Sequence, residues 1–201
     1  MITVSSPSGG SDQLSLSFPT LDTVRSFVIS GLSGSGKTTA GEYAKRWGYD
    51  TVSVGDTVRQ AYDEQDRDES VDEFVLRIHE ESGRTAFVQE ALTELDQRLV
   101  RRDDAPAGVV VEGVHSKTAV EAVRDRFGPT PVVWVRTPLP LRLQRCRRRD
   151  EGHTSADLLC RDLRELNSGM SDLAAPFGHD YHVLNDGLRQ AFEERLAAIF
   201  E

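Results

Sequence analysis

The stretch GLSGSGKTTA, Gly31–Ala40, constrains this chain more than any other. It follows the apolar run FVIS and holds G-x-x-x-x-G-K-[ST] as Gly31, Gly36, Lys37 and Thr38. A glycine-rich loop between a strand and a helix is the setting of a phosphate-binding P-loop. Glycines let the backbone wind so that successive N–H groups face phosphate oxygens. The helix that follows adds its free N–H groups and the positive end of its dipole. Gly31, Ser33, Gly34, Ser35, Gly36, Lys37, Thr38 and Thr39 are therefore expected to cradle a nucleoside triphosphate. Lys37 reaches the β- and γ-phosphates, and the Thr38 hydroxyl ligates Mg²⁺.

Around this loop, β-branched runs alternate with helical periods. RSFVIS (25–30), TVSV (51–54), GVVVEG (108–113), PVVWVR (131–136) and DYHVL (180–184) read as five strands. Val71, Phe74, Val75 and Ile78 share one helix face. Phe87, Ala91, Leu92, Leu95 and Leu99 share a second, and Leu188, Phe192, Leu196 and Ile199 a third. Nearly continuous apolar strands joined by helices fit a parallel sheet covered on both faces. The expectation is a three-layer α/β/α P-loop NTPase fold with a five-stranded parallel sheet, of the nucleoside-monophosphate-kinase type.

The 201 residues suit one domain, 23–201, behind a Ser/Gly-rich tail, 1–22, that reads as flexible. No stretch has the length of a membrane span, and the N-terminus lacks the pattern of a secretory signal. Cys146 and Cys160 make no C-x-x-C pair and read as buried small apolar residues of a cytoplasmic protein. The net charge of −9 argues against a broad nucleic-acid surface.

Three features point from nucleotide binding towards phosphoryl transfer. In VSVGDTVRQ, Gly55, Asp56 and Arg59 sit at a strand end and the first turn of a helix. Arg59 there is placed to hold an acceptor phosphate; alternatively Asp56 caps the helix and Arg59 is a solvated charge. The run LRLQRCRRRDEGHTSADLLCRDLREL, Leu141–Leu166, packs seven arginines into a helix–loop–helix. Arginines over a moving phosphoryl group stabilise its charge, and a flap carrying them excludes water. A short lid is expected at about 145–160, with Arg145 and Arg149 one turn apart as its acting pair and Arg148 beside them on the nucleotide. Most of the other arginines read as solvated partners of Asp150, Glu151, Asp157 and Glu165. Finally, VVVEGVHS ends a strand with Glu112, which either holds Mg²⁺ through water or pairs with a nearby arginine.

Taken together these pieces resemble the archaeal UPF0200 group of P-loop proteins, nucleotide-kinase-like or dephospho-CoA-kinase-like in description. The resemblance is carried in order by GLSGSGKT, VGDTVR, VVVEGVHSKTAVEAVRDRFG, RDLRELNSGM and VLNDG, from about Ser26 onward. It implies ATP binding on a P-loop kinase fold. The group typically has D-G-I-R-S where this chain has Glu112, Gly113, Val114, His115 and Ser116. The carboxylate is kept one bond further out, and a permanent cation becomes an imidazole.

The expected reaction is transfer of the ATP γ-phosphoryl group, with Mg²⁺ on Thr38 and Glu112, to a small-molecule phosphate acceptor. A phosphate acceptor needs no base, which leaves Asp56 structural and Arg59 as a grip. A hydroxyl acceptor needs a carboxylate for its proton, and Asp56 is the placed candidate. Arg84 could hold acceptor phosphate in either case, and Asn185 lies either against the base or in an ordinary turn. His179 and His182, three apart on an expected strand, should face opposite sides. A regulatory ATPase with no small-molecule acceptor is the alternative; a GTPase switch lacks its N-K-x-D motif.

Overall fold

A computed structural model describes residues 24–65, 68–149 and 154–201, with the side chain of Arg149 left out. The expected tail and the bend of the expected lid, with His153, lie outside the described residues.

Five strands form one parallel sheet in the order β2-β3-β1-β4-β5. They are β1 (Ser26–Ser30), β2 (Tyr49–Ser53), β3 (Gly108–Glu112), β4 (Val132–Arg136) and β5 (Tyr181–Leu184). The register runs Ile29↔Glu112 between β1 and β3 and Ser30↔Trp134 between β1 and β4. Strand ends that carry chemistry are thereby brought side by side. The helices are α1 (Lys37–Arg46), α2 (Val54–Asp63), α3 (Val71–Ser82), α4 (Ala86–Val100), α5 (Lys117–Phe127), α6 (Leu139–Arg149), α7 (Ser155–Glu165), α8 (Ser171–Ala174) and α9 (Arg189–Phe200). A π-helical turn, Leu166–Met170, joins α7 to α8.

Alternation along each strand splits the core in two. Val28, Val109, Val111, Val132 and Trp134 pack with α4 and α5 on one face. Ile29, Val110, Val133, Val135 and Val183 pack with α1 and α9 on the other. Side chains alternate across a strand, so inward residues on both faces require a two-sided cover of helices.

Local chemistry sets the helix starts. Ser53 accepts a hydrogen bond from the Asp56 N–H, so Ser53 and not Asp56 is the cap of α2. Ser70 with Glu73, and Thr154 with Asp157, form capping boxes at α3 and α7. Ser116 of the VHS motif caps α5.

Several expectations are corrected here. β2 begins at Tyr49, two residues early, because Tyr49 is buried edge-on against Phe27 and Phe200. Leu188 is 80% exposed and Val71 41%, since both sit at helix starts beyond the packed face. Cys146 is buried as expected, but Cys160 is exposed on α7. His179 lies outside β5, where the strand alternation does not bind it. Its ring comes within 5.6 Å of the His182 ring, and its Nδ1 is 2.8 Å from the Leu173 carbonyl. No helix among the described residues is long and apolar enough to cross a membrane.

Candidate functional site

The loop between β1 and α1 is held in shape from beneath. The Asn185 amide donates to the Ser35 carbonyl at 2.7 Å, and the Thr137 hydroxyl donates to the same oxygen at 2.8 Å. Arg145 donates to the Gly34 and Ser35 carbonyls at 3.3 Å each and to the Asn185 Oδ1 at 3.0 Å. Gly36 has φ of 105°, and a Cβ there would meet the Asn185 amide nitrogen at 2.3 Å. A side chain at that position is excluded by backbone and neighbour alike. With carbonyls of the loop engaged from below, the free N–H groups opening α1 remain for an anion. Lys37 crosses its own loop, donating to the Gly31 carbonyl at 2.6 Å and the Leu32 carbonyl at 3.3 Å.

Ser33 is the point where the arginine-rich hairpin is fastened to the loop. Its N–H and hydroxyl both donate to the Glu165 carboxylate, at 3.3 and 2.9 Å. Its carbonyl accepts from Arg142 at 3.2 Å. Arg142 is in turn bound bidentately to Asp162, at 2.8 and 2.6 Å, with 6% and 8% of the two side chains exposed. Burial pushes the Glu165 carboxyl up. Electrostatic interaction with His115, Lys37 and Arg161 and the hydrogen bond from the Ser33 hydroxyl outweigh that effect and hold it below the usual range.

On the other side of Lys37, Glu112 closes β3 with 7% of its surface exposed. Burial, reinforced by the charge of Asp56, pushes its carboxyl up to about 7; Lys37, Lys45 and a hydrogen bond with Thr38 oppose the rise. A Cβ on Gly41 would meet the carboxylate at 3.2 Å. That contact accounts for a glycine inside α1, where it costs about 1 kcal/mol relative to Ala. Thr38 and Glu112 are two hard oxygen donors in mutual contact, and a desolvated carboxylate lacks the positive charge a divalent cation would bring. The pair therefore fits Mg²⁺, which takes few protein ligands and keeps its waters. Among the described residues no group of three or more His, Cys, Asp or Glu could hold a metal. Glu112 and Asp56 also flank a hollow of about 130 Å³ shared with Lys45, Ser53, Glu94 and Arg98.

Lys37, Thr38, Glu112, Arg145 and Asn185 are thus brought together with the loop glycines and serines. Asn185 braces the loop, and its amide is committed to Ser35 and Arg145. Arg145, expected over the nucleotide, is partly buried under the same carbonyls. Arg148 is exposed on α6, and the Arg149 side chain is outside the described residues. Arg59 is ion-paired with Asp56 at the exposed start of α2. Arg84 is exposed before α4 and, among the described residues, makes no hydrogen bond or ion pair. A roomier cavity of about 710 Å³ lies beyond β4, lined by Trp134, Pro138, Leu139 and His182, and meets the loop at Leu32 and Ser35.

Arg142, Asp162, Glu165 and Gly41 were not legible as site residues. Glu165 reads as a solvated acid in a basic helix, and Asp162 carries no signal of its own in the sequence. The available signal was their spacing from Leu158: positions four and seven residues on share its face, and Leu158 is 1% exposed.

A family model described as an AAA domain matches residues 28–164. A UPF0200 protein of Pyrobaculum aerophilum is 32% identical over 162 residues, covering 79% of this chain and 86% of that one. A UPF0200 protein of Thermococcus gammatolerans is 29% identical over 182 residues, covering 87% and 93%. In three dimensions the chain is similar to a shikimate kinase from Bacteroides thetaiotaomicron, with a TM-score of 0.54 and 16% identity over 88% of this chain and 96% of that one. At that identity the likeness bears on the fold, which is that of P-loop kinases.

Proposed function

The chain belongs to the UPF0200 family and carries an AAA-type P-loop domain, and from that premise we propose that it is an ATP-dependent kinase acting on a small molecule in the cytoplasm. The observation that carries the reading is the Gly31–Thr39 loop with its braced carbonyls, followed directly by Lys37 and by Thr38 against Glu112. The triphosphate lies along the loop, and Lys37 exchanges the Gly31 and Leu32 carbonyls for phosphate oxygens. Thr38 and Glu112 are the residues that would hold Mg²⁺, which would supply positive charge to the phosphates. An acceptor oxygen attacks the γ-phosphorus, a new O–P bond forms, and the bond to the bridging β,γ-oxygen breaks to leave ADP. Arg148, exposed on α6, supplies charge to the nucleotide, while Arg145 holds the loop carbonyls from beneath.

The test is calorimetry of ATP with Mg²⁺, followed by single-turnover transfer of labelled γ-phosphate. Binding should be lost in Lys37→Ala. Transfer to an acceptor should outrun release of free phosphate to water. Labelled phosphate released only to water would favour a regulatory ATPase, and binding that survives Lys37→Ala would place the nucleotide elsewhere.

A further inference from the structure

The cavity of about 710 Å³ beyond β4 has no role in the reaction proposed above, and its size is that of a small-molecule pocket. It lies on the sheet face that carries Trp134. α4 and α5 pack over the core on that face, while the cover that reaches Trp134 and His182 is α8, four residues long, with the turn after it. Trp134 and His182 stand opposite each other in the β4–β5 register. The His179 ring stacks on Trp134, with centroids 6.3 Å apart and 24° between the planes. Pro138 and Leu139 at the start of α6, and Ala174 and Pro176 beside α8, add apolar walls.

The polar groups on the lining run to one kind. They come from Ser35, Arg136, Thr137, Arg142, His179 and His182, and among the described residues no carboxylate lines the cavity, in a chain of net charge −9. The buried Arg142 donates through both terminal nitrogens to Asp162 and Ser33, but its Nε–H has no hydrogen-bond partner among the described residues. The Ser35 hydroxyl, on a residue 1% exposed, is also without one. An unmet buried donor is costly, and an acceptor brought by a ligand would satisfy it. The charge of Arg142 is matched by Asp162. Arg136 stands on the same face of β4 as Trp134 and is exposed at the strand end. Its guanidinium makes no ion pair or hydrogen bond among the described residues, and it acts electrostatically on His182 across the cavity lining. Aromatic and apolar walls thus carry one unmatched guanidinium.

Independently of the kinase reading, we propose that this cavity is a second ligand site, for a small aromatic monocarboxylate. The ring lies against Trp134 and His182 between the proline and leucine walls. The carboxylate is held by Arg136, with the Arg142 Nε–H as a second donor. A single negative charge matches the single unmatched cation, and the flat apolar body matches the rest of the lining.

The test is calorimetry on the full chain with benzoate, 2-naphthoate and indole-3-acetate, each compared with its own amide, which keeps the shape and drops the charge. At least one acid should bind saturably, one per chain, and about tenfold or more tighter than its amide. In Arg136→Gln that preference should fall below about threefold, with the affinity of the amide unchanged. Ala174→Trp, which fills the cavity from α8, should weaken acid and amide alike by about tenfold or more. The proposal is overturned if none of the three acids binds saturably, or if every amide comes within tenfold of its acid. It is overturned equally by an acid preference that stays above threefold in folded Arg136→Gln, or by binding that folded Ala174→Trp leaves intact. If Ala174→Trp does not fold, the Arg136→Gln comparison decides alone.

Discussion

Replacing Asp162 with alanine should be the most damaging single change outside the hydrophobic core. Both members of the Arg142–Asp162 pair are nearly inaccessible, and both carboxylate oxygens are used. Deleting the carboxylate leaves a guanidinium buried without its counter-charge, which costs about 3–5 kcal/mol. For a domain of this size each kcal/mol lowers Tm by about 2–4 °C, so a loss of roughly 6–20 °C is expected. Urea unfolding followed by the fluorescence of Trp134, buried in the sheet, measures it directly. A loss under about 1 kcal/mol would refute the argument, because it would mean that water reaches Arg142 in the folded protein. The double variant Arg142→Met/Asp162→Leu separates charge burial from function. It should recover most of the stability, as hydrophobic replacement of a buried pair does. It should still bind ATP roughly tenfold more weakly, because the Ser33 carbonyl has lost a charged donor worth about 1.5–3 kcal/mol.

Gly41→Ala should gain helix propensity worth about 1 kcal/mol, yet weaken Mg²⁺-dependent ATP binding by displacing Glu112; adding Glu112→Asp, which shortens the acid, should restore it, as calorimetry of the two variants would show. Glu112, raised to about 7 in the folded state, keeps a proton between pH 4.5 and 7 that the unfolded chain has released. Stability therefore falls by about 3 kcal/mol as pH rises through that window and is level above it; Glu112→Gln should remove the slope in urea titrations at several pH values. His115 works in the opposite sense: its folded value near 4 lies below 6.5, so stability is lost as pH falls from 6.5 towards 4, and His115→Asn should remove that loss. Asn185→Ala should release Arg145 and the Ser35 carbonyl together and cost about 1–3 kcal/mol in thermal unfolding.

The loop, the five strands and their parallel order of layers were legible because each is a local pattern: a motif with fixed spacing, or β-branched runs between helical periods. Tyr49 was missed as a strand residue because its reason for being extended lies in Phe27 and Phe200, far along the chain. Arg145 was legible as part of the site but not in its place. Sequence spacing puts it on a helix face, while the partners that draw it under the loop, Asn185 and the Gly34 and Ser35 carbonyls, come from three separate segments. Asp162 and Glu165 were hidden by composition, since an acid among arginines reads as solvated until something buries it.

What buries them is the loop itself, and this sets how the site is built. All three polar groups of Ser33 are taken by side chains of α6 and α7. The first turn of the P-loop is therefore shaped by the hairpin as much as by its own glycines. A nucleotide that shifts Ser33 must also shift Glu165, Arg142 and, through Arg142, Asp162. Conversely, a hairpin variant far from the phosphates should alter nucleotide affinity in proportion to what it does to the Ser33 contacts, and Arg161→Ala is the discriminating case. It removes a partner of Glu165 at a position half exposed to solvent, so its effect on stability should be below about 1 kcal/mol. A measurable change in ATP affinity with so small a change in stability would trace the coupling through Glu165 to Ser33; no change in either would confine it to the buried Arg142–Asp162 pair.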